Sequence, residues 1–251
     1  MSKYWKCPEC GAEFIKEEIE QGLVSPDGVC PICGHNMKKE RIGNLPPSPS
    51  VSYKQLGILV LDGSGSMVTQ TKELITKAEA VSHSVTELFE KMKGSRINNH
   101  FSFAVVDFDE KAYRKMDITE TEDINAYADY NPMHVKGGCT YLSSGLEEAE
   151  KIADEFMNSG DKETRSVVVV IMTDGLDMKM DQAKETAQRM KDKYGKKLKI
   201  TASCFGTRDM LESEGTRIME FLRTIVTDED MCLETSTAAD LRSFFIASVS
   251  R

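Results

Sequence analysis

Oxygen-bearing side chains follow a short apolar run near residue 60 and could together bind a metal ion. Asp62, Ser64 and Ser66 alternate with glycines in the segment Asp62-Gly63-Ser64-Gly65-Ser66. Glycine allows a loop to turn tightly, which would bring one carboxylate and two hydroxyls toward one point. Hard oxygen ligands of low total charge suit magnesium better than zinc. The spacing therefore predicts a site for Mg²⁺, or for Mn²⁺, which accepts the same kind of ligand.

The element in front of these residues indicates where they lie. Residues 58–61 are apolar without alternation, which indicates a strand covered on both faces, as in a parallel sheet flanked by helices. Ligands of such sheets sit at the carboxyl ends of the strands. The competing interpretation is a solvated turn that caps the following helix. A cap needs only one serine, whereas this loop offers two serines and an aspartate.

The pattern Asp-x-Ser-x-Ser at the end of a first strand resembles the metal-ion-dependent adhesion site (MIDAS) of von Willebrand factor A (VWA) domains. Two further segments match that family. Gly137-Gly138-Cys139-Thr140 would supply the threonine of its second loop. Thr173-Asp174-Gly175, directly after the apolar run 167–172, would supply the aspartate of its third loop. The resemblance covers roughly residue 51 to the C-terminus.

The resemblance implies a role for each of these residues. Ser64 and Ser66 would bind the ion through their hydroxyls, and Thr140 would bind it directly or through water. Asp62 and Asp174 would act on the ion either directly or from behind another ligand. One coordination position would stay open for an Asp or Glu of a protein partner. Two carboxylates and three neutral hydroxyls leave the ion short of ligands and charge, so metal binding and partner binding should reinforce each other.

Four cysteines near the N-terminus form a second candidate metal site. Cys7-Pro8-Glu9-Cys10 and Cys30-Pro31-Ile32-Cys33 are two Cys-x-x-Cys motifs at a separation typical of four-thiolate zinc sites. The segment resembles zinc ribbons, and it has too few apolar residues for a core, so we expect it to fold only with Zn²⁺. A disulfide pair is one alternative, but nothing else indicates an oxidising compartment. A redox pair is another, but such motifs normally sit in a strand-helix unit, which this short segment does not offer.

Three cysteines lie outside the zinc motifs. Cys139 stands beside Thr140, where the family often has a small residue, and His134 is near it in sequence. A nucleophilic role for this thiol is not favoured, because proximity in a loop does not place a histidine to activate it. Cys204 and Cys232 fall in predicted strands, where cysteine usually behaves as a small buried apolar residue.

Composition divides the chain into three parts. Residues 1–42 are predicted to be the zinc ribbon, residues 43–52 a linker rich in proline and serine, and residues 53–251 the VWA domain. In the third part strands alternate with helices, which predicts an α/β fold: a doubly wound, mostly parallel sheet with one antiparallel edge strand. The predicted strands are 58–61, 101–108, 111–116, 167–172, 198–205 and 231–234. The predicted helices are 74–92, 142–156, 180–194, 218–225 and 239–249, with a short one near 124–127.

Charge and hydropathy restrict the classes of partner. The 251 residues carry a net charge of -9, whereas binding to nucleic acid or to acidic membranes requires clustered Lys and Arg. No targeting segment is visible, and no stretch approaches the roughly 18 apolar residues of a membrane helix. We therefore predict a cytoplasmic protein that binds another protein. Binding to a membrane is not expected, and binding to nucleic acid is not favoured.

The resulting hypothesis is a magnesium-dependent protein-binding adaptor in a cytoplasmic complex, without enzymatic activity. A looser resemblance to stand-alone bacterial VWA proteins of tellurium-resistance and stress operons extends it to stress response, signalling or defence. Three alternatives stay open: a substrate-recruiting subunit of an AAA-type ATPase machine, a zinc-ribbon nucleic-acid binder, and a phosphoryl-transfer enzyme using Asp62 and Asp174. Against the enzyme, the loop has no Walker lysine, and Ser64 stands where aspartate phosphatases carry a second acid.

Overall fold

The computed structural model describes residues 5–6, 13–14, 53–95, 97–134, 138–206 and 215–249. The four cysteines of the predicted zinc ribbon and the predicted linker lie outside these residues. Near the N-terminus, strands β1 (Trp5–Lys6) and β2 (Glu13–Phe14) pair antiparallel. The larger of the two units of the chain is Lys54–Val249, which is built around one sheet.

Six strands form the sheet of Lys54–Val249, in the order β5-β4-β3-β6-β7-β8. Every neighbouring pair is parallel except β4 and β5, which are antiparallel. The predicted mostly parallel sheet with one antiparallel edge strand is confirmed. The strands are β3 (Lys54–Asp62), β4 (Phe101–Phe108), β5 (Ala112–Glu120), β6 (Arg165–Thr173), β7 (Leu198–Phe205) and β8 (Cys232–Thr235).

Helices cover both faces of the sheet, as predicted for a doubly wound fold. The helices are α1 (Lys77–Lys93), α2 (Leu142–Asn158), α3 (Met180–Tyr194), α4 (Thr216–Ile225) and α5 (Ala238–Val249). In β3, Ile58 and Val60 pack into the core under α2, α3 and α4, while Leu59 and Leu61 pack into the core under α1 and α5. Burial on both faces explains why this strand is continuously apolar.

The first helix begins later than the apolar periodicity predicts. Leu74 was expected on its buried face, but Leu74 has φ 61° and is 79% exposed. Helix α1 begins at Lys77, after a capping box in which Thr76 Oγ1 accepts from Glu79 N and Thr76 N donates to the Glu79 carboxylate. The cap therefore determines the start of the helix, and it brings Lys77 to the first position.

Two further elements differ from the predictions. Strand β5 extends to Glu120, beyond the predicted end at Met116. A 3₁₀ turn at Thr121–Asp123 follows it, whereas the short helix predicted near 124–127 does not form. The antiparallel pairing of β5 with β4 supplies the backbone hydrogen bonds that extend the strand.

A buried carboxylate in β4, Asp107, is expected to make the stability of the fold depend on pH. Its Oδ2 lies 3.3 Å from Lys115 Nζ on β5, and its side chain is 3% exposed. Its Oδ1 has no hydrogen-bond partner within the described part of the chain. Burial raises the pKa of Asp107 to about 7, although the charge of Lys115 opposes this rise.

We expect Asp107→Asn to stabilise the domain at pH 8 and to change its stability little at pH 4. The pKa of Asp107 is higher in the folded state than its usual 3.8, so wild-type stability falls as the pH rises from about 4 to about 7. A rise of the pKa from 3.8 to about 7 corresponds to a loss of at most about 4 kcal/mol in the free energy of unfolding. Lys115 keeps a hydrogen bond to the Asn131 carbonyl in the variant.

Urea unfolding of wild type and Asp107→Asn at pH 4 and pH 8 measures this effect. Asp117→Asn is the matched control, because the Asp117 side chain is 84% exposed. The difference between wild type and Asp107→Asn should grow with pH, while the difference for the control should not. Equal stability of wild type and Asp107→Asn at pH 8 would contradict the prediction.

Candidate metal centre

The candidate ligand loops meet at the carboxyl ends of β3 and β6. Asp62 is the last residue of β3, and Thr173 is the last residue of β6, with Asp174 directly after it. The two strands are parallel neighbours, so these ends lie at the same edge of the sheet. The chain continues from β3 to β4 on one side and later returns to β6 on the other. This edge is therefore the switch point of the sheet, where open α/β folds bind ligands.

Asp62 fixes the first loop and joins it to the third. The residue is fully buried, its Oδ1 accepts from Ser64 N at 2.8 Å, and its Oδ2 accepts from Thr173 Oγ1 at 2.6 Å. Burial and the nearby charge of Asp174 raise the pKa of Asp62 to about 6, while the hydrogen bonds from Thr173 and Ser64 oppose this rise. The role of Thr173 was not assigned from the sequence.

The hydroxyls of the first loop lie beside the carboxylate of the third. Ser64 Oγ is 3.1 Å from Ser66 Oγ, and Ser66 Oγ donates to Asp174 Oδ1 at 2.6 Å. Neighbouring oxygens around an octahedral magnesium ion, with bonds of about 2.0–2.1 Å, lie about 2.9 Å apart. The spacing of these oxygens therefore fits the ligands of one small divalent ion.

The threonine loop contacts both of the other loops. Gly65 N donates to the Gly138 carbonyl at 3.4 Å, and Met178 N donates to the Thr140 carbonyl at 3.1 Å. A Cβ placed on Gly175 would lie 3.2 Å from Thr140 Oγ1, so this hydroxyl faces the third loop. The structure thus brings together the five residues that the sequence singled out. They are Asp62, Ser64, Ser66, Thr140 and Asp174.

A buried lysine in the site was missed by the sequence analysis. Lys77 Nζ donates to Asp174 Oδ2 at 2.7 Å, and the two side chains are 5% and 0% exposed. Lys77 is the first residue of α1. A positive charge is unfavourable at a helix N-terminus unless an anion lies close to it. Lys77 directly follows the capping residue Thr76 in the sequence. That position could have indicated that an acidic side chain lies close to the lysine.

Gly63 is required for a close approach of two chain segments and not for an unusual backbone angle. Positive φ angles within the described residues occur at Leu74 and Gly195. A Cβ on Gly63 would lie 2.5 Å from the Pro132 carbonyl oxygen, and Gly63 N donates to the Phe108 carbonyl at 2.7 Å. A tight loop was predicted from its glycines. At position 63 the glycine is needed because the segment that contains Pro132 lies too close for a side chain.

Asp177 and the cysteines outside the zinc motifs are not among the five candidate ligands. Asp177 is buried, and its Oδ1 accepts from Lys179 N at 3.0 Å, which orders the third loop. Cys139 is a partly exposed free thiol, and the His134 side chain lies outside what the structure describes. Cys204 is buried as predicted, and burial raises the pKa of its thiol to about 12, which makes it unreactive. Cys232 is buried as well.

The chemistry of the ligand set distinguishes between metals. In the described ranges, no three His, Cys, Asp or Glu side chains are grouped as metal ligands. The candidate site instead combines two carboxylates with three hydroxyls. Such oxygen ligands suit Mg²⁺ or Mn²⁺, whereas zinc prefers nitrogen and sulfur. The residues present therefore fit the metal that their spacing predicts.

The sheet and its loops define an α/β domain with a cluster of oxygen ligands at the switch point. Within that class, residues 58–176 match the family model of the von Willebrand factor type A domain. The matched span contains the five candidate ligands. Residues 58–176, just under half of the chain, are therefore similar to a VWA domain, and the whole sheet has the fold of that class.

Solved structures share this fold. The pilus adhesin SpaC from Lactobacillus rhamnosus GG is 13% identical with a TM-score of 0.62, over 78% of this chain and 30% of that chain. Proximal thread matrix protein 1 from the mussel byssus is 18% identical with a TM-score of 0.59, over 78% of this chain and 47% of that one. The vWF domain of the type V pili tip protein Mfa5 from Porphyromonas gingivalis is 13% identical with a TM-score of 0.56, over 77% of this chain and 93% of that chain.

A further structure of the mussel protein is described with a zinc-occupied MIDAS motif. A search of curated proteins found no match. This chain spans less than half the length of the first two solved structures. Within the described residues, every helix is too short or too polar to cross a bilayer.

Proposed function

We propose that this protein is a magnesium-dependent protein-binding adaptor whose metal site accepts an Asp or Glu from its partner. One observation carries the proposal: three separate loops meet at the switch point, and the oxygens of Ser64, Ser66 and Asp174 have the spacing of ligands around one ion. Asp62, Ser64, Ser66, Thr140 and Asp174 would hold Mg²⁺, or Mn²⁺ in its place. The bound ion would supply positive charge and a free coordination position for a carboxylate.

Apolar side chains beside the ligands support a protein partner. Val68 lies two residues after Ser66 and is 58% exposed. Met178 lies four residues after Asp174 and is 68% exposed. Exposed apolar side chains this close in sequence to the candidate ligands would be available to contact a protein that binds there. We infer that the partner's acidic residue is flanked by apolar residues.

Binding without catalysis is part of the proposal. Both carboxylate oxygens of Asp62 accept hydrogen bonds within a fully buried environment. The oxygens of Asp174 accept from Ser66 and from Lys77. We infer that both aspartates hold the ion and support the loops, and that neither acts as a nucleophile or a base.

The proposal places the adaptor in a cytoplasmic complex of a bacterial stress, signalling or defence pathway. It also includes a zinc ribbon at residues 1–42, a linker at 43–52 and the VWA domain at 53–251. The pairing of β1 with β2 supports the ribbon, because these strands lie on either side of Cys7 and Cys10 in the sequence. A hairpin around a Cys-x-x-Cys motif would direct both thiolates toward one zinc ion.

Partner capture from native extract tests the adaptor function. The full chain and its Ser64→Ala, Ser66→Ala variant are compared in magnesium buffer, because a chelator would also remove zinc from the ribbon. The variant loses two ligand hydroxyls, so we expect at least a tenfold loss of the captured partner with an unchanged melting temperature. A Ser159→Ala, Ser243→Ala variant, which changes two exposed serines elsewhere, is the control.

The identity of the captured protein separates the alternatives. A partner retained by the control and lost from the Ser64→Ala, Ser66→Ala variant supports the adaptor, and an AAA-type ATPase as that partner would favour the substrate-recruiting subunit. Equal capture by wild type and both variants would refute the role of the metal site in binding.

A further inference from the structure

A buried ammonium group occupies one side of the candidate metal site. Lys77 Nζ lies 2.7 Å from Asp174 Oδ2, and Ser66 Oγ donates to the other oxygen of the same carboxylate. Both the lysine and the aspartate side chains are almost completely buried. The positive charge is therefore a fixed part of the site and not a mobile surface group.

The backbone holds this lysine in place independently of the ion pair. Lys77 N donates to the Thr69 carbonyl at 2.9 Å, which ties the start of α1 to the loop that carries the serines. The capping box of Thr76 and Glu79 fixes the same turn of the helix. The main chain of Lys77 is therefore held where its side chain reaches Asp174.

A count of formal charges shows what Lys77 changes. Asp62 and Asp174 carry two negative charges, and Lys77 reduces the net charge of the site to minus one. A divalent ion would raise that net charge to plus one, which one carboxylate of a partner would neutralise. Without Lys77, the site loaded with a divalent ion would already be neutral, and a partner carboxylate would make it negative.

We propose that Lys77 tunes this site toward its carboxylate partner: it weakens binding of the divalent ion and strengthens binding of a carboxylate to the ion-loaded site. The proposal rests on the proposed function and adds the residue that sets the balance between metal and partner. The two effects have opposite signs because the ion is positive and the carboxylate negative. At distances of a few ångströms in a buried site, each effect should exceed a factor of ten.

The test measures both affinities in the full zinc-loaded chain. Calorimetry gives the Kd of Mn²⁺, and water-proton relaxation of the Mn²⁺-loaded protein gives the Kd of acetate, the simplest carboxylate probe. Lys77→Gln removes the charge but keeps a donor for Asp174, and Lys77→Met is the second variant in case the first does not fold. Lys91→Gln, an exposed lysine in the last turn of α1, is the matched control.

We expect Lys77→Gln to bind Mn²⁺ at least tenfold more tightly and acetate at least tenfold more weakly than wild type. The control should match wild type in both measurements. A variant that loses both affinities together, or changes neither, would show that Lys77 only supports the structure. Failure of wild type to bind Mn²⁺, or of its Mn²⁺-loaded form to bind acetate, would instead refute the proposed function itself.

Discussion

Replacement of Asp62 by asparagine is expected to weaken binding of Mg²⁺ or Mn²⁺ at least 100-fold and to leave the metal-free domain as stable as wild type or more stable. The side chain is fully buried and lies close to the charge of Asp174, so its ionised form is unfavourable when no ion is present. Asparagine has nearly the same shape. It can accept from Ser64 N and donate to Thr173 Oγ1, which keeps the two loops joined.

The metal affinity and the stability of the metal-free domain together distinguish a metal ligand from a residue that only supports the structure. Calorimetric titration with Mn²⁺ gives the affinity, and urea unfolding without added Mg²⁺ or Mn²⁺ at pH 7.5 gives the stability. Removal of the buried charge should contribute up to about 3 kcal/mol of stability. Asp192→Asn, at an exposed position of α3, controls for the general loss of one negative charge. An Asp62→Asn variant that binds Mn²⁺ as tightly as wild type would remove Asp62 from the site.

Loss of zinc from the N-terminal segment should be the second large effect. A four-thiolate site binds about one zinc ion per chain, and small zinc domains depend on the ion for about 10 to 16 kcal/mol of folding free energy. Changing one thiolate in each motif, in a Cys10→Ser, Cys30→Ser variant, should therefore abolish stoichiometric zinc and unfold residues 1–42. The VWA domain should keep its melting transition, because its core is formed within Lys54–Val249.

Elemental analysis of the purified protein measures the zinc, and protease resistance of the N-terminal segment measures its folding. Cys139→Ser is the matched control, since Cys139 is a partly exposed free thiol outside the two motifs. It should keep full zinc content. Zinc that survives in the Cys10→Ser, Cys30→Ser variant, or is lost from the control, would disprove the ribbon.

The two proposed metals should differ in how tightly they are bound, and Lys77 contributes to the difference. Zinc in the ribbon would be a permanent part of the structure, held by four negative thiolates. The ion of the MIDAS-type site would bind less tightly, because Lys77 already neutralises one of its two carboxylates. Occupancy of that site would then depend on the concentration of the ion and on the partner carboxylate, which is the behaviour of a reversible adaptor.

The sequence by itself predicted most of the strands and helices of Lys54–Val249, and it singled out the candidate oxygen ligands at the edge of its sheet. Apolar runs and helical periodicity predicted strand β7 and helix α3 with their observed bounds, since burial of these elements leaves a local pattern. The spacing of Asp62, Ser64 and Ser66 indicated metal chemistry, because the ligands of one loop are neighbours in the chain.

Only the tertiary structure decided how those ligands are supported. The Lys77–Asp174 ion pair joins residues 97 positions apart, and the Thr173–Asp62 hydrogen bond joins residues 111 positions apart. The contact that requires glycine at position 63 comes from Pro132. Such contacts depend on which loops meet at the edge of the sheet, and no local pattern encodes that meeting. The positive charge that Lys77 places beside Asp174 was therefore set by the fold.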